Sequence, residues 1–452
     1  MIRPHSSREE LLRTSVHGMR VGPSPRVLAT DLTAHLGETV QVSGWLHRRR
    51  ELKNVTFLIL RDRSGLTQAV LPGPAAEQLR DIPEETVLSF VGTVTANTQA
   101  PGGVEVVAPA EGPRVELLSS PAETPPLDIY RPSVTASLPT ILDGAPVTLR
   151  HPLLNAPFQI TAASIAGFRT ALDALDFTEI HTPKIVGSAT ESGANVFALD
   201  WFGRKAYLAQ SPQFFKQAMV GVFERVYETG PVFRAEPSDT ARHLAQYTSL
   251  DAELGFIADH RDVMAVVREV LAAMVSTVAE RAAAAVELLG VKLPEVPERI
   301  PEIHFADAME MLGEDEPDLS PANERDLSQW ALREFGSEFL FVTGYPMKKR
   351  PFYTHAQPDR PQYSNSFDLI FRGLELITGG QRLHRYEDYV AALAARGEST
   401  EAYEGYLANF KHGMPPHGGF ALGLERWTMR LTEADNLRRT ALFPRDLHRL
   451  TP

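Results

Sequence analysis

Cysteine is absent from all 452 residues. Disulfides, thiolate zinc sites and cysteine nucleophiles are therefore excluded, and a cytoplasmic setting is the expectation. Long apolar runs are missing too. No window approaches the roughly 18 uncharged apolar residues that a membrane-spanning helix requires. The opening stretch Met1–Glu10 lacks the apolar core of a secretory signal. Positive charge is in deficit: 45 Lys and Arg stand against 57 Asp and Glu, a formal net charge of −12. That balance argues against indiscriminate nucleic-acid binding, which needs positive charge facing phosphates. It leaves room for a local basic patch, and His47–Lys53 carries three arginines and a lysine. This patch is either a contact for a partner or a solvated strand end.

What is present points to several domains, since the chain is too long for one average domain. Residues 1–22 read as a loose polar extension. From about 23 to 118 the pattern is strand-rich, with alternating runs at Thr39–Leu46, Val55–Arg63, Thr67–Leu71, Thr86–Val94 and Val104–Val107, and a helical piece near Pro74–Leu79. Five short strands of this kind fit a small closed barrel of the oligonucleotide-binding (OB) type, and composition alone allows another small barrel. Residues 119–150 are proline-rich and read as a hinge with little regular structure. Residues 151–452 read as a larger α+β unit, with helices over Thr161–Leu175 and Arg261–Leu289 and a helical insertion at about 285–345. The expected fold class is thus multi-domain, all-β followed by α+β.

Three segments of the larger unit carry chemistry. In the first, Gly230–Glu236 and Tyr247–Glu253 read as two strands around a polar loop containing Arg242 and His243. Side chains two apart on a strand share a face, so Arg234 goes with Glu236, and Asp251 with Glu253. Charges at alternate positions of apolar strands suggest a floor that faces a ligand; a solvated face with surface ion pairs is the alternative. In the second segment, Ser366–Arg382, a two-residue turn at Arg372-Gly373 puts Ile370 opposite Glu375 and Asp368 diagonal to it. Two carboxylates so placed could share a hard cation such as magnesium. Neutralisation by Arg372 or Arg382 is the alternative. The third, Gly418–Trp427, is a glycine run ending in Arg426 at the start of a helix over Glu425–Leu431, and tight packing is the alternative use of such glycines. Together the segments indicate a nucleotide site.

These segments resemble motifs 2 and 3 of the class II aminoacyl-tRNA synthetases and the metal-binding strand between them. Thr182-Pro183 resembles the motif 1 proline of the dimer interface. Gln210–Lys216, Phe233–His243 and Leu442–Asp446 are most similar to the aspartyl-tRNA synthetases of archaeal type. The resemblance covers about residues 25–452. It implies an OB-fold anticodon-binding barrel followed by a class II catalytic domain, an antiparallel β-sheet flanked by helices. It also implies a cytoplasmic homodimer that activates L-aspartate with ATP and magnesium and charges tRNA.

Carried over by that resemblance, Arg234 would hold the α-phosphate and Glu236 would read the adenine amino group. Tyr247 would lie beneath the base, where the family usually has phenylalanine. Arg426 would cover the base and reach the γ-phosphate, with Arg242, His243, Leu244 and Gly423 completing the nucleotide set. Asp368, Glu375 and Thr378 would hold magnesium. Lys216 and Arg382 would pair with the aspartate side chain, while Asp251, Glu191 and Gln213, beside Thr378, would complete the amino-acid site. The loop Thr190–Asn195 resembles one that closes over substrate. Two departures are Ala421, where the family has a third glycine, and Ser192 for glycine in that loop.

In the barrel, Phe57 and Gln68 match positions that stack on and read the central anticodon base, and Glu105 matches a contact to its neighbour. His47 and Pro101 match the pair found in relaxed members that charge both tRNA(Asp) and tRNA(Asn). The product Asp-tRNA(Asn) would then pass to an amidotransferase. The alternatives are a discriminating aspartyl enzyme, an asparaginyl enzyme, an amide-forming paralogue and a silent RNA-binding protein.

Overall fold

The computed structural model describes residues 26–53, 55–72, 79, 81–187 and 195–451. The expected extension 1–22, the helical piece at 74–78, and Glu191 and Ser192 lie outside the described residues. The chain divides into two compact units, one ending at Thr140 and one beginning at Ile141. That boundary falls within the expected hinge, which carries short helices at Leu138–Asp143 and Ala145–Thr148.

The first unit is a closed barrel. Its strands are β1 (Thr39–Leu52), β2 (Val55–Arg61), β3 (Leu66–Pro72), β4 (Val87–Ala96), β5 (Val104–Val107) and β6 (Arg114–Ser119). They run in the order β1-β2-β3-β5-β4-β6, and β1 also pairs with β4, which closes the ring. Alternation drives this closure. Val40, Val42 and Leu46 of β1 meet Leu58, Leu60, Leu88 and Phe90 in one apolar core. β6 is an addition to the five expected strands; its residues are mostly exposed, so it gives no alternation signal.

The second unit is built on an eight-stranded sheet. Besides the short β7 (Thr178–Glu179), the three-stranded sheet of β8 (Ile185–Val186), β9 (Ala198–Trp201) and β10 (Arg204–Leu208) precedes its main strands. These are β11 (Arg225–Phe233), β12 (Gln246–Gly255), β13 (Glu302–His304), β14 (Phe339–Thr343), β15 (Ser366–Phe371), β16 (Leu374–Gln381) and β17 (His417–Gly423). The order is β13-β14-β15-β16-β17-β12-β11-β7, antiparallel except at the two outermost pairs.

Helices α1 (Pro152–Ala174), α2 (Gln213–Phe223), α3 (His260–Arg281), α4 (Ala283–Leu289), α5 (Phe305–Leu312), α6 (Pro321–Phe335) and α7 (Leu424–Leu431) flank the sheet. α1 and α3 pack on one face in the main core, against Leu250, Ala252, Leu369, Leu376, Ile377, Phe420 and Leu422. The opposite face carries Ser249, Asp251, Glu253, Asp368, Glu375, Thr378, Gly419 and Ala421, by strand alternation.

Three expectations are corrected. The 290–345 region is more than a helical insertion, because the fully buried run Phe339–Thr343 is β14, hydrogen-bonded into the main sheet. The helix expected over 261–289 breaks at Ala282, where φ is −124° and ψ 22°. No proline or glycine marks that break, so apolar periodicity runs through it. The helix expected from Thr161 begins at Pro152, whose missing N–H has no helical partner to lose in the first turn.

Gly167 sets the approach of α1 to α3: a Cβ there would stand 2.7 Å from both the Ala273 carbonyl oxygen and the Met274 Cα. Gly167→Ala is expected to cost about 1–3 kcal/mol through overpacking. Urea denaturation of the two proteins measures the cost, and an unchanged midpoint would show that the helices can part freely.

Candidate active site

Strand β17 is central to the sheet and also the first to stop. It pairs with β12 as far as Ser249–Gly423 and with β16 only from Ile377–Leu422 onward, then turns into α7. Its neighbours continue past it, which leaves their inward-facing peptide groups without a strand. Side chains take over. The Thr248 N–H donates to both carboxylate oxygens of Glu425, 3.0 Å each. On the other side, Arg426 Nη1 donates to the Glu375 carbonyl at 3.2 Å. The gap holds a cavity of about 490 Å³.

The expected nucleotide residues all line that cavity: Arg234, Glu236, Arg242, His243, Leu244, Tyr247, Glu375, Gly423 and Arg426. β11 ends at Phe233, but the Arg234 N–H still donates to the Ala245 carbonyl at 2.8 Å, so the ladder aims Arg234 inward. Its guanidinium lies over the Tyr247 ring, 5.6 Å from the centroid. His243 Nδ1 lies 2.6 Å from Thr240 Oγ1. Burial, with the charges of Arg426 and Arg242, pulls the imidazole pKa below its ordinary value, favouring the neutral form. Ala421 also lines the cavity, on the strand between Asp251 and Thr378.

The glycine run divides by use. At Gly419 a Cβ would collide with the Glu253 carboxylate and the Ala252 carbonyl, so this glycine serves packing. At Gly423 the nearest atoms are those of the Arg426 side chain, 3.9 Å away, so here the backbone is open to the cavity. Close approach to a ligand is therefore a property of Gly423 and not of Gly419.

The second segment forms the expected hairpin, with Ile370 opposite Glu375. The register then shifts by one residue between Leu369 and Ile370, making Leu376 the extra residue of a β-bulge. Leu376 and Ile377 both enter the main core. The shift puts Thr378 opposite Asp368 and on the face of Glu375, and Thr378 Oγ1 donates to Glu375 Oε1 at 2.9 Å. Neither expected arginine neutralises these acids. Arg372 pairs with Glu338 at 2.6 Å and Arg382 with Glu253 at 2.9 Å, whereas Arg350 Nη2 donates to Asp368 Oδ2 at 2.9 Å.

Burial, helped by the nearby Glu375 charge, pushes the Asp368 carboxyl up to about 6 against the pull of Arg350. Its Oδ1 is buried without a partner. A divalent cation would satisfy that oxygen and offset the repulsion, and the donors are the hard oxygens magnesium prefers. They fit magnesium as a partial shell, to be completed by phosphate and water. Among the described residues, no group of three His, Asp or Glu is arranged to hold a metal alone.

Behind the cavity is a buried cluster of four charges. Lys216 Nζ reaches Asp251 Oδ1 at 3.0 Å, Glu253 Oε2 at 3.3 Å and the Phe420 carbonyl at 3.1 Å. Arg382 donates to Glu253 and to the Gly419 carbonyl at 3.0 Å. Burial works to raise the Glu253 pKa, but Arg382 and Lys216 outweigh it and hold it below the usual value. Gln213 is buried at the start of α2, the helix that carries Lys216, its Nε2 donating to Gln217 Oε1 at 2.9 Å. Glu253 is thus the partner that fixes Arg382; its spacing from Asp251 was the signal for it. Nothing in the sequence pointed to Arg350.

In the barrel, Phe57, Gln68 and Glu105 come together. Gln68 Nε2 donates to Glu105 Oε2 at 2.9 Å, and Arg50 donates to Gln68 Oε1 at 3.1 Å with its guanidinium 6.0 Å from the Phe57 ring. Asn97 joins by donating to Glu105 at 2.7 Å. The basic patch thereby contributes Arg50 to this cluster. His47 lies in another, 3.2 Å from Arg61, which is paired bidentately with Glu85. Pro101 opens the short turn Pro101–Gly103 before β5.

Two family models match the chain: "tRNA synthetases class II (D, K and N)" over residues 139–447 and "OB-fold nucleic acid binding domain" over residues 40–111. The chain belongs to the class II aminoacyl-tRNA synthetases. The synthetase is 47% identical to the aspartate–tRNA(Asp/Asn) ligase of Thermus thermophilus, over 94% of this chain and 100% of that one. It is 43% identical to the ligase of the same name from Aeropyrum pernix, over 92% and 96%. Among solved structures it resembles asparaginyl-tRNA synthetase from Pyrococcus horikoshii complexed with asparaginyl-adenylate, with a TM-score of 0.87 and 29% identity, covering 95% of this chain and 100% of that one.

Within this synthetase, burial pushes the Glu425 carboxyl up to about 7 against its hydrogen bonds. A raised folded-state value means stability that is complete below the unfolded value, near 4.5, and lost as pH rises through about 7. Glu425→Gln keeps an acceptor for Thr248 without the charge. Its stability relative to the parent is expected to rise by up to about 3 kcal/mol between pH 5 and pH 8. Urea melts at both pH values check this; a gap that does not change with pH would contradict a buried ionisation.

Proposed function

We propose that this synthetase activates L-aspartate with ATP and transfers the aspartyl group to tRNA(Asp) and tRNA(Asn). The aspartate carboxylate attacks the α-phosphorus, pyrophosphate leaves, and a terminal ribose hydroxyl of tRNA then displaces AMP from the carbonyl carbon. The observation that carries the amino-acid choice is the buried pair Lys216 and Arg382, two cations held among acids at the end of the site. A dicarboxylic substrate can take both as partners. Asparagine would turn amide N–H groups toward cations that accept nothing.

In this reading Arg234 holds the α-phosphate and stabilises charge that builds up there, a preorganised electrostatic role. Glu236 reads the adenine amino group, Tyr247 supports the base, and Arg426 covers it and reaches the outer phosphates with Arg242 and His243. Leu244 and Gly423 shape the wall. Asp251 and Gln213 receive the α-ammonium; Glu191, given the same role by resemblance, lies outside the described residues. Asp368, Glu375 and Thr378 hold magnesium, which when bound neutralises phosphate charge.

The cluster of Phe57, Gln68 and Glu105 reads the anticodon by stacking and edge hydrogen bonds. His47 and Pro101 give the tolerance at its third base. The names of the relatives from Thermus thermophilus and Aeropyrum pernix support this dual specificity. The reading extends to a cytoplasmic homodimer using Thr182-Pro183 at its interface, and to an amidotransferase that consumes Asp-tRNA(Asn). Asparagine activation is the second reading, favoured by the likeness to the Pyrococcus horikoshii enzyme.

ATP–pyrophosphate exchange with aspartate and with asparagine decides between the two, and charging of tRNA(Asp) and tRNA(Asn) transcripts tests dual specificity. Exchange with aspartate only, and charging of both transcripts, are the expected results; failure to charge tRNA(Asn) would refute the relaxed specificity. Arg426→Ala is expected to lower aspartate-dependent exchange by on the order of 100-fold or more. A smaller loss would remove Arg426 from the phosphate contacts.

A further inference from the structure

The start of β16 has no strand on its β17 side, and a helix from the inserted region takes that place. Glu324 and Ser328 stand one turn apart on α6, hence on one helix face. The Glu375 N–H donates to Glu324 Oε2 at 3.0 Å, and the Gly373 N–H donates to Ser328 Oγ at 3.0 Å. Gly373 is the second turn residue, just before β16, so α6 supplies one acceptor to the turn and one to the strand where β17 is missing. Glu375 is then gripped at both of its own backbone groups, the N–H by Glu324 and the carbonyl by Arg426. It also sits immediately before the bulged residue Leu376, where the ladder to β15 loses its regular register. Bulges re-aim side chains, and a residue beside one is only as fixed as its local anchors.

Glu324 has the electrostatics of a site residue and not of a surface acid. It is buried, and burial raises its carboxyl pKa; Glu375 raises it too, while Arg242 and Arg426 draw it down. Leu327, next in the helix face, packs with Leu340, Val342 and Ile370, which ties α6 to β14 and β15.

We propose that Glu324 is a positioning residue: its carboxylate holds the Glu375 peptide in the bulged register and so aims the Glu375 side chain at the phosphates and cation. This rests on the reading of Glu375 as a phosphate and magnesium contact. The inserted region thereby forms part of the working site, although it lies outside the motifs that name the family.

The test uses the full chain with Glu324→Ala and Glu324→Gln. Hydrogen exchange at the Glu375 amide reads the anchor itself, and calorimetric titration with magnesium and a non-hydrolysable ATP analogue reads its consequence. In Glu324→Ala the amide is expected to exchange at least about tenfold faster and the magnesium–nucleotide complex to bind about tenfold more weakly. Aspartate KM in pyrophosphate exchange should stay within about twofold. Glu324→Gln, which keeps an acceptor oxygen, should restore both losses. Unchanged amide exchange in Glu324→Ala overturns the proposal, as does a nucleotide loss matched by an equal aspartate loss, which marks general damage. Glu324→Gln as weak as Glu324→Ala also overturns it, since charge and not hydrogen bonding would then matter. A parent protein that binds the nucleotide but shows no aspartate-dependent exchange would reject the amino-acid assignment and leave the positioning role standing.

Discussion

The early stop of β17 is the constraint on which the rest of the catalytic unit depends. A central strand that ends before its neighbours leaves polar backbone groups facing a gap, and unpaired buried peptide groups cost free energy comparable to a lost hydrogen bond. Here Glu425, Arg426 and Glu324 fill the role of the missing strand. The gap survives as a cavity only because its rim is satisfied by side chains. Those side chains are charged, so the same arrangement that completes the sheet also surrounds the cavity with groups suited to a polyphosphate ligand.

The cluster behind the cavity follows a related logic. Two cations and two carboxylates are buried together, and none could be buried singly without a large desolvation penalty. Each is also held by more than one contact: Lys216 by two acids and a carbonyl, Arg382 by Glu253 and a carbonyl. Gly419 is what lets this cluster sit against the strand, because any side chain there would occupy the space of the Glu253 carboxylate. The packing glycine and the ionic cluster are therefore one feature, written at separate places in the chain.

Much of this was legible in the sequence for a physical reason. Alternation on strands is a rigid rule, so Asp251 and Glu253, or Asp368 and Glu375, could be assigned to common faces before any coordinates. The barrel's five strands were legible likewise, whereas Phe57, Gln68 and Glu105 were singled out only by resemblance to the family, since an aromatic on a barrel strand reads equally well as core. What escaped had no periodic signal. Arg350 and Glu324 arrive at the site from loops and an inserted helix, and tertiary contact alone brings them there. The mostly exposed strand β6 and the break at Ala282 likewise leave no mark in the pattern of apolar residues. β14 was missed because a fully buried strand reads as a continuous apolar run, which periodicity cannot tell from a short helix.

The extra residue Leu376 acts as a phase shift in the sheet. Before it, positions facing the ligand are odd-numbered; after it, they are even, as Glu375 and Thr378 illustrate. Strict alternation through the same residues would turn Thr378 toward the hydrophobic core; the bulge is what returns it to the ligand face, opposite Asp368. What this strand must preserve is therefore its broken phase, a property of the backbone and not of any one side chain.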